Sequence, residues 1–391
     1  LYCCFLITRI EGPRGGFLFQ GNLYHERRKE MNTVSWVLWA VVCGAGLWLL
    51  LKGAALLLNG ARALAIKLGI PSVVVGLTVV ALGTSAPELF VSALSSVQGQ
   101  ADIAVGNVVG SNIVNLLVIL ALPALVIPLS MSARLLRFDV WVMLASAILA
   151  AALSIDGTLS RFDGLLLLVG WGVYLRVCIK RQGHTTSEPE DAVPMNSGMI
   201  ARSIGLGLTA LVIGSQLALT SSVAIARQFG LSELFIGLTL VALGTSLPEL
   251  ATSFEAARRG DHDMSIANAV GSNTLNILTI LGLSSVVAPH GLEVSQDARL
   301  FDLPVMIAVS ALTVCLAWRH GGFTWASGST MLLGYLLYVT SLLLDWNDPV
   351  QWRVLAAAAT GFAALVTILI VRGPKVCIHA HDEASQNAQA A

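Results

Sequence analysis

Apolar residues in this chain run in long, nearly unbroken stretches separated by short polar punctuation. Several stretches reach the ~20 residues a helix needs to cross a hydrocarbon core of about 30 Å. They predict membrane helices over 34–58, 72–98, 102–127, 135–155, 162–179, 200–226, 232–257, 262–288, 299–318, 323–344 and 350–371, the first running on as an amphipathic tail toward Leu68. One connection is sizeable: 181–198, RQGHTTSEPEDAVPMNSG, polar and with two prolines, which reads as a flexible linker. Its acidic cluster, Glu188, Glu190 and Asp191, reads as solvated. The linker divides the first ten helices into five and five.

The expected organisation is a leader (1–30), a first repeat of five helices (31–180), the linker (181–198), a second repeat of five (199–345), one extra helix (346–372) and a polar, disordered tail (373–391). The fold class is all-α, a polytopic membrane protein. Composition agrees. Only 12% of residues are charged, about half the usual soluble fraction, and mean hydropathy is +0.77. Net charge is zero, which gives no sign of a nucleic-acid partner. The six cysteines are scattered, with no CxxC and no disulfide framework. Residues 1–30, which begin with Leu1, read as a translation-start artefact or a disordered leader, not a cleavable signal.

Lysine and arginine set the expected orientation. With connections numbered alternately, one side receives Arg62, Lys67, Arg134, Arg137, Arg176, Lys180, Arg181, Arg202, Arg258, Arg259, Arg319, Arg372 and Lys375. The other receives only Arg161, Arg227, Arg299 and Arg353 once the leader is set aside. The rich side is expected to be cytoplasmic, with the linker and C-terminus inside and Met31 outside.

The chain also repeats itself. GLTVVALGTSAPEL (76–89) and GLTLVALGTSLPEL (237–250) agree at twelve of fourteen positions, 161 residues apart. The same offset carries Asn107-Val108-Val109-Gly110-Ser111-Asn112 onto Asn268-Ala269-Val270-Gly271-Ser272-Asn273, Asn115 onto Asn276, Gly53 onto Gly214 and Gly69 onto Gly230. Five helices per copy is an odd number, so the second copy enters the membrane with opposite polarity. Inverted repeats of this kind place ion sites near the midplane, where the copies meet.

Glu88 and Glu249 are the chemistry at that meeting. A carboxylate at bilayer depth costs about 2.5–3.5 kcal/mol, and two together repel, so the pair calls for protons or a cation. Thr84 and Ser85 lie four and three residues before Glu88, on one helical face. Hydroxyl and carboxylate oxygens suit Ca²⁺ or Na⁺; neither motif holds the His or Cys that zinc or copper would want. Pro87 and Pro248 crowd the carbonyls of Gly83 and Gly244, so a kink is expected with carbonyls at Ala81–Gly83 and Ala242–Gly244 freed for an ion. Asn107, Ser111 and Asn115, like Asn268, Ser272 and Asn276, form a polar stripe at spacings of four. Gly106, Gly110 and Gly271 are expected to permit close helix approach. Trp141, Trp171, Trp318, Trp325, Trp346 and Trp352 read as interfacial anchors. Asp139, Asp302 and Asp345 read as solvated, and Lys52 has no assigned role.

The paired G-T-S-x-P-E and G-S-N-x-x-N motifs resemble the alpha-repeats of the calcium/cation antiporter superfamily, which includes the sodium/calcium exchangers, in its prokaryotic type. The resemblance covers about 34–344. It implies ten core helices, an outside N-terminus and a cytoplasmic linker, here too short for the calcium-sensing domains of animal exchangers. By position it implies ion ligands Thr84, Ser85, Glu88, the Ala81 carbonyl, Ser111 and Asn115, with Thr245, Ser246, Glu249, the Ala242 carbonyl, Ser272 and Asn276. Exchangers often carry Asp where this chain has Asn276, so the centre has two carboxylates, not three. Two charges balance one Ca²⁺ or two Na⁺. The resemblance further implies that the first helix of each repeat slides past a fixed core.

The function so implied is secondary active exchange of Ca²⁺ for Na⁺ by alternating access, with small cations and the lipid bilayer as partners, no nucleic acid and no resident cofactor. A Ca²⁺/H⁺ or other cation/H⁺ antiporter is the alternative, because desolvated carboxyls hold protons to higher pH. An intramembrane enzyme is the remote reading: the seven histidines fall in loops, tails or helix ends, and GxSxG and HExxH are absent. A passive channel is the other. Stoichiometry and oligomeric state are not encoded in these motifs.

Overall fold

A hydrocarbon environment offers the backbone no water, so each apolar run must satisfy its own N–H and C=O groups as helix. The computed structural model describes residues 33–70, 72–180, 195–229, 242–343 and 349–372. Its helices are α1 (Thr33–Leu68), α2 (Val73–Thr84), α3 (Ala86–Val97), α4 (Ala101–Val126), α5 (Leu135–Leu153), α6 (Arg161–Lys180), α7 (Ser197–Gln228), α8 (Ala242–Thr245), α9 (Leu247–Arg258), α10 (His262–Val287), α11 (Ala298–His320), α12 (Trp325–Leu343) and α13 (Pro349–Arg372). Among the described residues, seven helices are long and apolar enough to cross a membrane, and the bent α2/α3 pair makes an eighth span. The chain is a multi-pass membrane protein. The run expected at 72–98 is therefore two helices, and α1 is one continuous helix rather than a span with a tail. The leader, most of the linker, residues 230–241, Asp345, Trp346 and the polar tail lie outside the described residues.

Two short β pairings close the bundle. β1 (Leu129–Ser130) runs antiparallel to β4 (Gly322–Phe323), and β2 (Thr158–Leu159) to β3 (Leu292–Glu293). Each pairing joins one repeat to the other. β1 and β3 follow equivalent helices, as β2 and β4 do, so a pseudo-twofold operation exchanges the two pairs. Alternate crossing puts 129 and 322 at one membrane face and 158 and 292 at the other. This is the geometry of an inverted repeat.

α4 and α10 form the axis of the bundle, with 83% and 78% of their apolar windows buried, against 33% for α1 and for α7. Leu116, Leu117, Val270, Ile280 and their neighbours supply the core there, while Val37, Trp48, Phe90, Phe162 and Val169 point outward, as side chains meeting lipid do. Trp141, Trp318 and Trp325 are also outward-facing. Lys52 is exposed, its Nζ 6.0 Å from the Trp48 ring.

α1 and α7 pack on each other along a seam of glycines spaced by seven. A Cβ on Gly46 would sit 2.6 Å from Ala218 N, one on Gly53 2.8 Å from Leu211 N, one on Gly207 2.6 Å from Leu57 N, and one on Gly214 2.8 Å from Leu50 N. Backbone touches backbone, which welds the two helices into one unit. Gly271 does the same for α10 against Leu77 of α2. The residues equivalent to that neighbourhood for Gly106 and Gly110 are Gly237 and Leu238, outside the described residues.

Two aspartates expected to be solvated are instead tied to tyrosines, Asp139 buried and Asp302 half-buried. Asp139 is wholly buried and accepts a hydrogen bond of 2.9 Å from the Tyr174 hydroxyl, with Arg134 Nε at 3.7 Å. Asp302 accepts one of 3.0 Å from Tyr338. Phe138 stacks on Tyr174 and Phe301 on Tyr338, each with ring centroids 6.2 Å apart. The two clamps are copies of one another. Each aspartate ends a π-helical turn, Leu135–Asp139 or Ala298–Asp302, and ties its helix to the next.

Gly207→Val is expected to lower stability by about 1–3 kcal/mol through overpacking, read as a lower unfolding midpoint in detergent. Gly44→Val, two residues from Gly46 on the outward face and with no described atom within 4 Å of its Cβ, is the matched control and is expected to shift stability by less than about 0.5 kcal/mol. Equal losses in both would remove the seam from the account.

Candidate functional site: two broken helices and a buried carboxylate pair

The motif GTSAPE interrupts a membrane span because proline cannot donate to the carbonyl four residues back. Thr84 ends α2, Ser85 leaves helical geometry (φ −82°, ψ 10°), and α3 begins with Pro87 in its first turn, bent 51° from α2. In the second copy Ser246 takes the same conformation (φ −93°, ψ 10°) between α8 and α9, with Pro248 in the first turn. Each break creates a helix N-terminus inside the membrane, and Glu88 and Glu249 occupy the first turns of α3 and α9. Unpaired N–H groups and the helix dipole favour negative charge there.

Both carboxylates are 1% exposed. Their partners cross the pseudo-twofold. Ser85 Oγ donates to Glu249 Oε1 at 2.8 Å, and Ser246 Oγ donates to Glu88 Oε1 at 3.3 Å. The neighbouring helices fasten each break from behind. Asn107 Nδ2 donates to the Glu88 carbonyl (3.2 Å) and Ser92 Oγ (2.8 Å), and Asn268 Nδ2 to the Glu249 carbonyl (3.2 Å) and Ser253 Oγ (2.9 Å). Among the described residues no ion pair reaches either glutamate.

Residues of the polar stripes meet across the same axis. Asn115 Nδ2 donates to Asn273 Oδ1 at 2.9 Å, and Asn276 Nδ2 to Asn112 Oδ1 at 3.0 Å. Asn115 and Asn276 each open a π-helical turn, Asn115–Ile119 and Asn276–Leu281, a widening of the helix often found at functional sites. Among the candidate ligands, Glu88 Oε2, Glu249 Oε2, Asn115 Oδ1, Asn276 Oδ1 and Ser272 Oγ are buried oxygens without a hydrogen-bond partner. Burying such acceptors unmatched is costly. All are hard oxygen donors, and the set fits an alkali or alkaline-earth cation. No group of three or more His, Cys, Asp or Glu suited to a metal occurs among the described residues.

The remaining expected residues divide. Ser111 is buried on α4, and Thr245 is half-buried at the end of α8. Thr84 Oγ1 lies 3.1 Å from Val80 O, 3.3 Å from Ala81 O and 3.4 Å from Asn268 Oδ1. Ala242 opens α8. The Ala81 carbonyl is not freed by the kink: it accepts the Ser85 N–H at 3.0 Å. The proline removes the bond to Gly83, two residues on, so of the expected span Ala81–Gly83 the Ala81 carbonyl keeps its helical bond. In the second copy the Gly244 carbonyl accepts 2.7 Å from Ser215 Oγ of α7. Sequence reasoning missed Asn112, Asn273 and Ser215. The first two are visible as the last residue of the duplicated G-S-N; Ser215 has Ala54 as its counterpart and no signal.

The centre is two-fold symmetric but its surroundings are not. Gly83 and Gly244, at the two breaks, both face leucines of α7, Leu208 and Leu219. A cleft of about 320 Å³ lined by Gly83, Ala86, Leu208, Thr209, Val212 and Ile213 opens beside the first break. Three polar ties run from the α1/α7 pair to the rest of the second repeat: Ser215 to Gly244, Arg62 Nε to Asp261 Oδ2 at 3.2 Å, and Asn59 Oδ1 to Arg259 Nη1 at 2.6 Å. The counterparts of Arg62, Asp261, Asn59 and Arg259 are Val223, Gln100, Thr220 and Gln98, which cannot form the ion pair.

Comparison with known proteins gives a consistent assignment. The family model described as sodium/calcium exchanger protein matches residues 37–180 and 201–344. The chain is 35% identical over 315 residues to the inner membrane protein YrbG of Escherichia coli (strain K12), covering 78% of this chain and 96% of that protein. It is 31% identical over 338 residues to the sodium/calcium exchanger MaX1 of Methanosarcina acetivorans, covering 76% and 96%. Among solved structures, the sodium-calcium exchanger NCX_Mj superposes with a TM-score of 0.67 at 30% identity, covering 78% of this chain and 99% of that one.

Asn268→Leu is expected to cost about 1–3 kcal/mol, because it strips a buried carbonyl and a buried serine hydroxyl of their shared donor. Thermal unfolding in detergent measures it, and an unchanged midpoint would show that the Asn268 bonds do not hold the second break.

Proposed function

The chain belongs to the sodium/calcium exchanger protein family, and we propose that it is an antiporter exchanging Ca²⁺ for Na⁺ at the Glu88/Glu249 centre. The observation that carries this reading is the set of buried, partnerless acceptor oxygens at two carboxylates and two amides. Its charge and chemistry match a hard cation. The ligands we assign are Glu88, Glu249, Thr84, Ser85, Thr245, Ser246, Ser111, Asn115, Ser272 and Asn276, with the Ala242 carbonyl and the second lone pair of the Ala81 carbonyl, whose first accepts the Ser85 N–H. The transported ion is substrate, and the site needs no resident cofactor.

The residues would work as follows. Glu88 and Glu249 supply two negative charges, balanced by one Ca²⁺ or two Na⁺, and use the same oxygens for either. Occupancy by one ion excludes the other. With the centre empty, two uncompensated carboxylates oppose closure over a low-dielectric site; with an ion bound, that penalty falls. The moving part is the α1/α7 pair, which the glycine seam makes a single body, and the fixed part is the frame of α4 and α10. The coupling ratio is set by two carboxylates, since position 276 is Asn.

The positive-inside count supports a cytoplasmic linker and C-terminus with Met31 outside. Similarity to an inner-membrane protein supports residence in the cell membrane. Relatives named as exchangers support a transporter over an enzyme.

In proteoliposomes, ⁴⁵Ca²⁺ uptake is expected to require an outward Na⁺ gradient, and Glu88→Gln and Glu249→Gln are each expected to lower it by at least about tenfold. Uptake driven by a pH gradient and indifferent to Na⁺ makes the protein a cation/H⁺ antiporter instead. Uptake with no counter-ion gradient makes it a channel. Undiminished flux in both glutamine variants refutes the site.

A further inference from the structure

An asparagine offers a cation either a carbonyl oxygen, which binds it, or an NH₂ group of the same shape, which repels it. Something must decide which end faces the site. We infer that Asn112 and Asn273 are positioning residues that fix the amides of Asn276 and Asn115 with their oxygens toward the ion. The inference rests on the ion site proposed above and deepens it.

A backbone carbonyl can only accept a hydrogen bond. Asn273 Nδ2 stands 3.0 Å from the Asn112 carbonyl, so the nitrogen of Asn273 must face it. Asn273 Oδ1 therefore faces Asn115, which must answer with its nitrogen, at 2.9 Å. Asn115 Oδ1 is left over, buried and without a partner. The twin relay has the same polarity. Asn112 Nδ2 faces the Asn273 carbonyl at 3.4 Å and Met306 Sδ at 3.5 Å. Asn112 Oδ1 accepts from Asn276 Nδ2 at 3.0 Å, and Asn276 Oδ1 is left over. All four side chains are 0–1% exposed, so no water competes to turn an amide over. Each relay runs from a backbone carbonyl, through the amide of one repeat, to the amide of the other, and ends on a bare oxygen. Each ligand amide is thus set by the opposite half of the molecule. The Asn273 anchor is the shorter of the two, so Asn115 is the more firmly fixed ligand.

The test is ⁴⁵Ca²⁺ uptake by the full chain in proteoliposomes under a saturating Na⁺ gradient. Asn273→Leu frees the Asn115 amide to turn, and is expected to raise KM for Ca²⁺ roughly tenfold while kcat changes less than about twofold. In an Asn115→Ala background the same substitution is expected to add less than about twofold, because Asn273 acts through Asn115. A full rise in KM in that background, or a fall in kcat with KM unchanged, overturns the proposal. Asn112→Leu with and without Asn276→Ala is the twin cycle and is read the same way. If a leucine variant does not yield folded protein, the smaller Asn273→Ser and Asn112→Ser carry the comparison. Glu88→Gln runs alongside: retained flux there sinks the ion site and the relays with it, whereas lost flux there with an unaltered KM in Asn273→Leu overturns the relays alone.

Discussion

Two carboxylates buried in a membrane protein, each held by a serine from the opposite half of the chain, are the constraint around which this molecule is built. Neither glutamate is neutralised by an arginine or lysine among the described residues. What steadies them is local: the positive end of a helix that starts inside the bilayer, one serine hydroxyl each across the pseudo-twofold, and an asparagine from the adjacent helix tying down each glutamate's carbonyl. The proline creates that helix end. The bend, the first-turn glutamate and the asparagine behind it are one device, made twice.

Symmetry at the centre and asymmetry around it do different work. The centre repeats because both copies contribute the same oxygens. The peripheral pair does not repeat its contacts. Three of its polar ties fall on the second repeat with no equivalent ion pair in the first, and its leucines from α7 cover both breaks. A duplicated site wrapped by an unevenly attached pair of helices is physically able to be open on one side only. The glycine seam matters here, because two helices in backbone contact shift together or not at all, while α4 and α10, the most buried spans, stay as the frame.

The duplication also reaches places with no visible motif. The aspartate–tyrosine clamps at 139/174 and 302/338, each with its stacked phenylalanine, brace the outer helices in both copies. Position near a span end suggests solvated aspartates; the tyrosines that bind them come from the next helix, and no local pattern connects residues 35 or 36 apart. The π-helical turns at Asn115 and Asn276 are equally silent, since their widening depends on what the helix packs against.

The sequence by itself determined the apolar spans, the internal duplication and its inversion through an odd helix count, while the twelve residues proposed to meet the ion follow by position from the resemblance to the exchangers. The spans and the breaks are legible because hydrophobic length and the proline's missing N–H act within a few residues, and the duplication because identical motifs recur at one fixed offset. Only the tertiary structure decided the distant partners: Ser85 with Glu249 and Asn115 with Asn273 across the axis, and Ser215 with Gly244 within the second repeat. It also decided that the Ala81 carbonyl stays bonded and that Asp139 is buried. Those outcomes depend on the separation of side chains brought together from 29 to 164 residues apart, a distance that no spacing along the chain encodes.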